Sequence, residues 1–361
     1  MESNKQVQKA GENSKQVQVE TLIVNQGISE ERVRTIFSEM VPHALEIYTN
    51  EAYAIANQRI DRLEEKVMPR INDVEGLLSA FADPTFQILL RKAQQAAASS
   101  ERENDYDLLS ELLVCHVQKG NDRKNRAGIS RAIEIIDQID NDALCALTVA
   151  HAVCAYRPAT GYCLEGLQAL DSLFSKLMYQ ELPTGSSWLD HLDILGSVRL
   201  SSIGSMKKFA DYFPSALDGY VCIGIKVASG EYKQAVELLN NAQINSNFLI
   251  PNECLDGYVR LAITTASGID DLGFNIGTAR VPLNSNQKDN LMQILKLYST
   301  DTALQKAAVT KFMELWDSFE ALHTLRLWWE NIPNAFHITQ VGKILAHINA
   351  KRCSSEIPDL I

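Results

Sequence analysis

The sequence predicts a mainly α protein: a helical array with a short N-terminal β-repeat segment and a small mixed α/β section near residues 183–280. Three observations predict it. Apolar residues recur at three- and four-residue spacing over most of the chain, the period of a helix with one buried face. Alternation of polar and β-branched residues is concentrated in the first 27 residues. Gly and Asp interrupt short β-branched runs only between about residues 183 and 280.

The N-terminal segment carries an internal repeat. Lys5-Gln-Val-Gln8 returns as Lys15-Gln-Val-Gln18, so Val7 and Val17 are equivalent, with Gly11 placed for a turn between the units. Leu22-Ile-Val24 follows as a more apolar strand. One valine per unit cannot build a core, and so polar a ribbon is marginal in water. One reading is a disordered tail. The sharper reading is self-association, with Val7, Val17, Val19, Leu22, Ile23 and Val24 buried between copies beside glutamine ladders.

Ser29 caps the next element, and Glu30 and Glu31 suit a helix first turn. Val33, Ile36, Phe37, Met40, Ile47, Ile55, Leu63 and Val67 continue at helical spacing to Met68-Pro69. This predicts a long helix over 28–68, kinked or restarted at Pro42, with an exposed second half that reads as a stalk. A helical domain over 69–182 follows. Its segments are Thr85–Ala98 behind the Asp83-Pro84 start, Asp105–Gln118, Gly128–Ile139, Asp142–Tyr156 and Gly161–Tyr179. In the mixed section, helices are expected at Ser187–Leu195, Ser205–Asp211 and Tyr232–Asn240. Strands are expected at Tyr220–Ile225, Asn247–Ile250 and Gly257–Ile263. A C-terminal helical section over 281–361 holds Gln287–Tyr298, Ala303–Trp316, Phe319–Trp329 and Ile338–Ala350.

Composition narrows the function classes. With 34 Lys+Arg against 45 Asp+Glu the net charge is −11, and 46% of the 361 residues are apolar. That is globular composition, long enough for two or three domains. The balance argues against a nucleic-acid partner, which needs a basic face. Lys119–Arg126 and Lys351-Arg352 read as a solvated loop and a solvated helix end. No apolar run spans a bilayer, and the first residues lack a signal-peptide core. The expectation is therefore a cytoplasmic protein without a membrane partner, and the odd number of cysteines, 7, agrees with reduced thiols.

Candidate chemistry is sparse. No H-E-x-x-H, G-x-S-x-G, P-loop, G-x-G-x-x-G or C-x-x-C motif occurs. Cys145, Cys154 and Cys163 are nine apart, which puts neighbours on opposite faces of a helix. His151 and Cys154 share a face, but two ligands are not a metal site, so no metal or cofactor is expected. His191 lies between Asp190 and Asp193 and could form an oriented base. Tyr258 and Arg260 alternate with Val259, so they share a strand face, and Arg260 could bind an anion or form a structural ion pair. Trp316, Phe319, Leu322, Leu325 and Trp329 follow helical spacing and read as core. Thr339 reads as a helix cap, followed by Gly342 in close packing.

Several stretches taken in order resemble one bacterial family. They are Gln18-Val-Glu-Thr-Leu-Ile-Val24, Gly27-Ile-Ser-Glu-Glu-Arg-Val33, Asp83-Pro-Thr-Phe-Gln87, Ala93-Gln-Gln-Ala96 and Asp107-Leu-Leu-Ser-Glu-Leu-Leu113. Ile194-Leu-Gly-Ser197, Pro251-Asn-Glu-Cys-Leu-Asp-Gly-Tyr-Val-Arg-Leu261 and Leu345-Ala-His-Ile-Asn-Ala-Lys-Arg352 complete the set. The family is the LPO/Vpar type, largely helical and of unknown function, and the resemblance covers nearly the whole chain. Asn252-Glu253-Cys254 departs from it, standing where the resemblance implies a histidine and a basic residue. The polar repeat is also similar to N-terminal tags of bacterial conflict and phage-defence proteins.

The reading that follows is a self-assembling scaffold or sensor whose partner is a second copy of itself, in a setting such as anti-phage defence. Two others compete with it: an enzyme with an unrecognised site around His191, Asp193, Tyr258 and Arg260, and an adaptor that binds another protein on the helical array.

Overall fold

The computed structural model describes residues 28–45, 49–119, 122–201, 203–276 and 279–359. The N-terminal repeat, with Val7, Val17, Val19, Leu22, Ile23 and Val24, lies outside them. The described chain is mainly α with three small antiparallel sheets.

Helix α1 (Glu30–Ala44) starts at Ser29, whose hydroxyl accepts the Arg32 N–H. It ends two residues after Pro42, and α2 (Asn50–Val67) begins anew, so the segment is two helices and not one long rod. Nor is it a stalk. Val33, Phe37, Ile60 and Leu63 are fully buried in the main core, packed towards α4 (Pro84–Ser99) and α5 (Glu103–Lys119) beyond the one-turn α3 (Leu77–Ala80). The charged residues that suggested exposure lie away from this core, and Lys66 pairs with Asp107 at 2.9 Å.

Asp83 caps α4 through the N–H groups of Thr85 (2.8 Å) and Phe86 (3.1 Å), and Pro84 supplies the first helical residue. Asp122 caps α6 (Arg123–Ile135). Arg102 binds the carbonyls of Ile136 (2.7 Å) and Ile139 (2.6 Å), joining the start of α5 to the end of α6. Helix α7 (Asn141–Ala155) is buried on every side from Ala143 to Val153, which its apolar circumference requires. Its principal neighbour is α15 (Gln340–Cys353), nearly 200 residues later, and Asn349 donates to Thr148 Oγ1 at 2.9 Å across the contact.

Between them come α8 (Cys163–Leu177), α9 (Ser187–Ile194), β1 (Val198–Leu200) and α10 (Phe209–Ala216). These pack on the main core with the later α13 (Thr302–Asp317) and α14 (Glu320–Glu330). The expected aromatic core is present: Trp316, Leu322, Leu325 and Trp329 are buried, and Trp316 donates to the Leu322 carbonyl at 2.7 Å. β1 pairs antiparallel with β7 (Phe336–Ile338), a pairing of segments more than 130 residues apart. Thr339 caps α15 as expected, its hydroxyl accepting the Gly342 N–H, and a Cβ on Gly342 would overlap the Ser197 carbonyl.

A second, smaller core lies in residues 225–298. A sheet in the order β2–β4–β3 joins β2 (Ile225–Lys226), β4 (Tyr258–Leu261) and β3 (Leu249–Pro251). It buries Ile225, Leu261 and Ile263 with Leu239 of α11 (Gly230–Asn241) and Leu291 of α12 (Ser285–Leu295). The hairpin β5 (Gly273–Ile276) and β6 (Ala279–Pro282) adjoins it. The boundary therefore differs from a mixed section at 183–280. Residues 187–217 belong to the helical body, and α12 belongs to the small lobe. Of the expected strand at 220–225 only Ile225 pairs, as the first residue of β2, because Gly224 turns the chain at a φ of 77°.

Candidate functional site

Tyr258 and Arg260 do share a face of β4, but Arg260 points inward and is fully buried, while Tyr258 is half-buried. The Arg260 guanidinium is spent on internal partners. Nε and Nη2 donate to Glu253 Oε2 at 3.1 and 2.7 Å. Nη1 donates to the carbonyls of Gly161 (3.0 Å), Gly219 (3.1 Å) and Leu261 (3.1 Å). The Tyr220 ring lies 5.4 Å from the guanidinium carbon. Glu253 Oε1 accepts the Cys163 N–H at 2.8 Å, the first residue of α8, where a carboxylate also meets the positive end of the helix. Asn252 donates to the carbonyls of Cys222 (2.8 Å) and Ile223 (2.9 Å). Asn252 and Glu253 thus anchor the small lobe to the helical body. Of the two roles open to Arg260, the geometry shows the structural ion pair. Sequence reasoning missed Glu253 because seven residues and a turn separate the partners.

His191 and Asp193 sit elsewhere. His191 Nε2 accepts the Asp140 N–H at 3.1 Å, at the start of α7, so the proton of the neutral ring is on Nδ1. Asp193 faces Leu200 N (3.4 Å) and Arg199 (3.8 Å) beside β1. The two share no hydrogen bond with each other, or with Tyr258 or Arg260. The four residues form two separate sites, because α9 packs on α7 and β1 whereas β4 is the middle strand of the lobe.

The sequence also missed a third polar cluster. The His347 ring bonds the Tyr156 hydroxyl (3.0 Å) and the Pro358 carbonyl (3.0 Å), holding the C-terminal segment against α7. His151 stacks edge-on against both at 5.7 Å and 6.3 Å. Burial, then the neighbouring His347 and Lys343, pushes His151 down to about 4, so it is neutral near pH 7. Among the described residues no group of three or more His, Cys, Asp or Glu side chains is placed to hold a metal ion.

A cleft of about 940 Å³ lies between the end of α8, the 178–187 connection and α14. Trp188 of α9 and Trp328 of α14 meet there, with ring centroids 5.8 Å apart at 36°. Trp328 Nε1 donates to the Pro183 carbonyl at 2.9 Å, which fixes its ring. Asp171 accepts the N–H groups of Ala321 (2.9 Å) and Leu322 (3.3 Å) through Oδ1, capping α14 from a neighbouring helix. Trp328 directly precedes the buried Trp329, so it falls off the buried stripe. That offset was a signal for the cleft which core packing alone did not use.

A protein-family model matches residues 27–360, described only by the suffix "-like". The chain belongs to this uncharacterised family. The match begins after the polar repeat and includes both cores and the cleft. No curated protein matches the chain, and no solved structure does. Among the described residues, no helix is long and apolar enough to cross a membrane.

Proposed function

We propose that this protein is a self-assembling scaffold or sensor without catalytic chemistry of its own, whose helical body binds a partner in the cleft. The reading rests on the division of the chain. The candidate polar residues of the body are used to hold it together, Arg260 above all. Ahead of that body stands a repeated Lys-Gln-Val-Gln unit whose valines one copy cannot bury. Association between copies supplies the missing apolar contact, and glutamines flanking each valine can ladder along the stack. The similarity of the repeat to tags of phage-defence proteins supports a defence setting, in a bacterial cytoplasm. The cleft supports the adaptor role as part of the same function.

Mass photometry and sedimentation of the full chain and of a deletion of residues 1–27 test the proposal. The full chain should form a defined higher species, and the deletion should lose it. Two monomers, or the same oligomer from both, would overturn the assembly.

A further inference from the structure

We propose that the cleft beside Trp328 is a site for a peptide segment that carries arginine among apolar residues. The inference extends the binding half of the function above and does not rest on assembly. Three carboxylates line the cleft, Asp171, Glu181 and Glu320, and no lysine, arginine or histidine is among the lining residues. Glu181 and Glu320 are exposed at the rim. The apolar part of the lining includes Met178, Leu327 and the Trp328 ring. Such a surface complements a cation borne on an apolar stem. A guanidinium can stack over an indole face while its N–H fork binds a carboxylate, which a compact ammonium does less well.

Size and rigidity agree with a peptide. About 940 Å³ is at the upper end of the usual ligand-pocket range of about 300–1,000 Å³, several times one side chain. Trp328 is held by Pro183 and Trp188, and Trp188 by the edge of Phe336 at 5.8 Å and 82°, so the aromatic wall is already ordered. Asp171 spends Oδ1 on the N–H groups of α14, which leaves Glu181 and Glu320, the latter in the first turn of α14, as the carboxylates that take up no backbone donor there.

The test uses the full chain and a fluorescein-labelled hexapeptide of alternating leucine and arginine, followed by anisotropy. Its counterpart has glutamate in place of arginine, and spermine serves as a competitor. The arginine peptide should bind saturably, weaken with added salt, and exceed the glutamate peptide. A Glu181→Lys/Glu320→Lys double variant, both positions being on the surface, should bind about tenfold more weakly. The 1–27 deletion should bind as the full chain does, which separates this result from the assembly result. Equal binding of both peptides, no saturable binding, or unchanged affinity in the double variant would overturn the proposal. Displacement by spermine at equal concentration would also overturn it, assigning the site to a free polyamine.

Discussion

Replacing Arg260 by methionine keeps most of the side-chain volume and removes every hydrogen bond that the guanidinium makes at the junction of lobe and body. Glu253 would lose both guanidinium bonds (3.1 and 2.7 Å) and keep only the Cys163 N–H. The carbonyls of Gly161 and Gly219 would lose their Arg260 donor in a region closed to water, since Arg260 itself has no exposed surface. Removing one partner of a buried pair costs about 3–5 kcal/mol, against about 1–3 kcal/mol for each buried polar group left unpaired. Glu253 retains 20% side-chain exposure, so water relieves part of its charge, and a loss of about 4 kcal/mol is expected. At a slope of about 2–3 kcal/mol/M in urea this moves the midpoint down by about 1–2 M. Hydrogen exchange should show protection failing first in residues 225–298, the small core. Arg260→Lys should recover less than half, because an ammonium cannot reach Glu253 and both glycine carbonyls through one fork. Adding Glu253→Gln to the methionine variant should cost less than the two single changes summed. A methionine variant within about 1 kcal/mol of the parent would refute the structural role. A well-folded variant that had lost a measurable turnover would instead restore the enzyme reading.

Lowering pH should destabilise the protein through His151. Its folded value is below that of the unfolded chain, so it stays neutral when folded, and the stability present above about 6.5 is lost as pH falls towards 4. By pH 5 the loss is about 2 kcal/mol, and His151→Gln should flatten the difference in urea stability between pH 7 and pH 5 by that amount. Gly342→Ala should cost about 2–3 kcal/mol, because the new methyl meets the Ser197 backbone, whereas Gly230→Ala, with open space at the start of α11, should be neutral to stabilising by about 0.5 kcal/mol. Thermal melts of the two glycine variants check the pair, and equal losses would refute the packing argument.

Local signals carried the helices. Asp83-Pro84, Ser29 and Thr339 act through atoms within three residues of themselves, so their caps were legible, and the stretch 143–153, apolar but for Thr148 and His151, favoured burial. Pro42 was legible as a break, but not the outcome, since whether the chain straightens or folds back depends on α4 and α5. The short strands were poorly legible. Val198–Leu200 and Phe336–Ile338 are three residues each, too few for a period, and each is a strand only because the other lies beside it. The candidate site followed the same rule: alternation correctly placed Tyr258 and Arg260 on one face, but it could not say whether that face met solvent or Glu253.

By itself the sequence determined the helical class, most helix ends, the repeat of Val7 and Val17 and the lack of familiar catalytic motifs, because each depends on neighbours along the chain. Only the tertiary structure decided that α15 packs on α7, that Arg260 is spent on Glu253 and Gly161, and that Trp188 and Trp328 wall a cleft. Those contacts join residues far apart in the chain, where burial and hydrogen-bond partners are set by the packing of whole elements and leave little local trace.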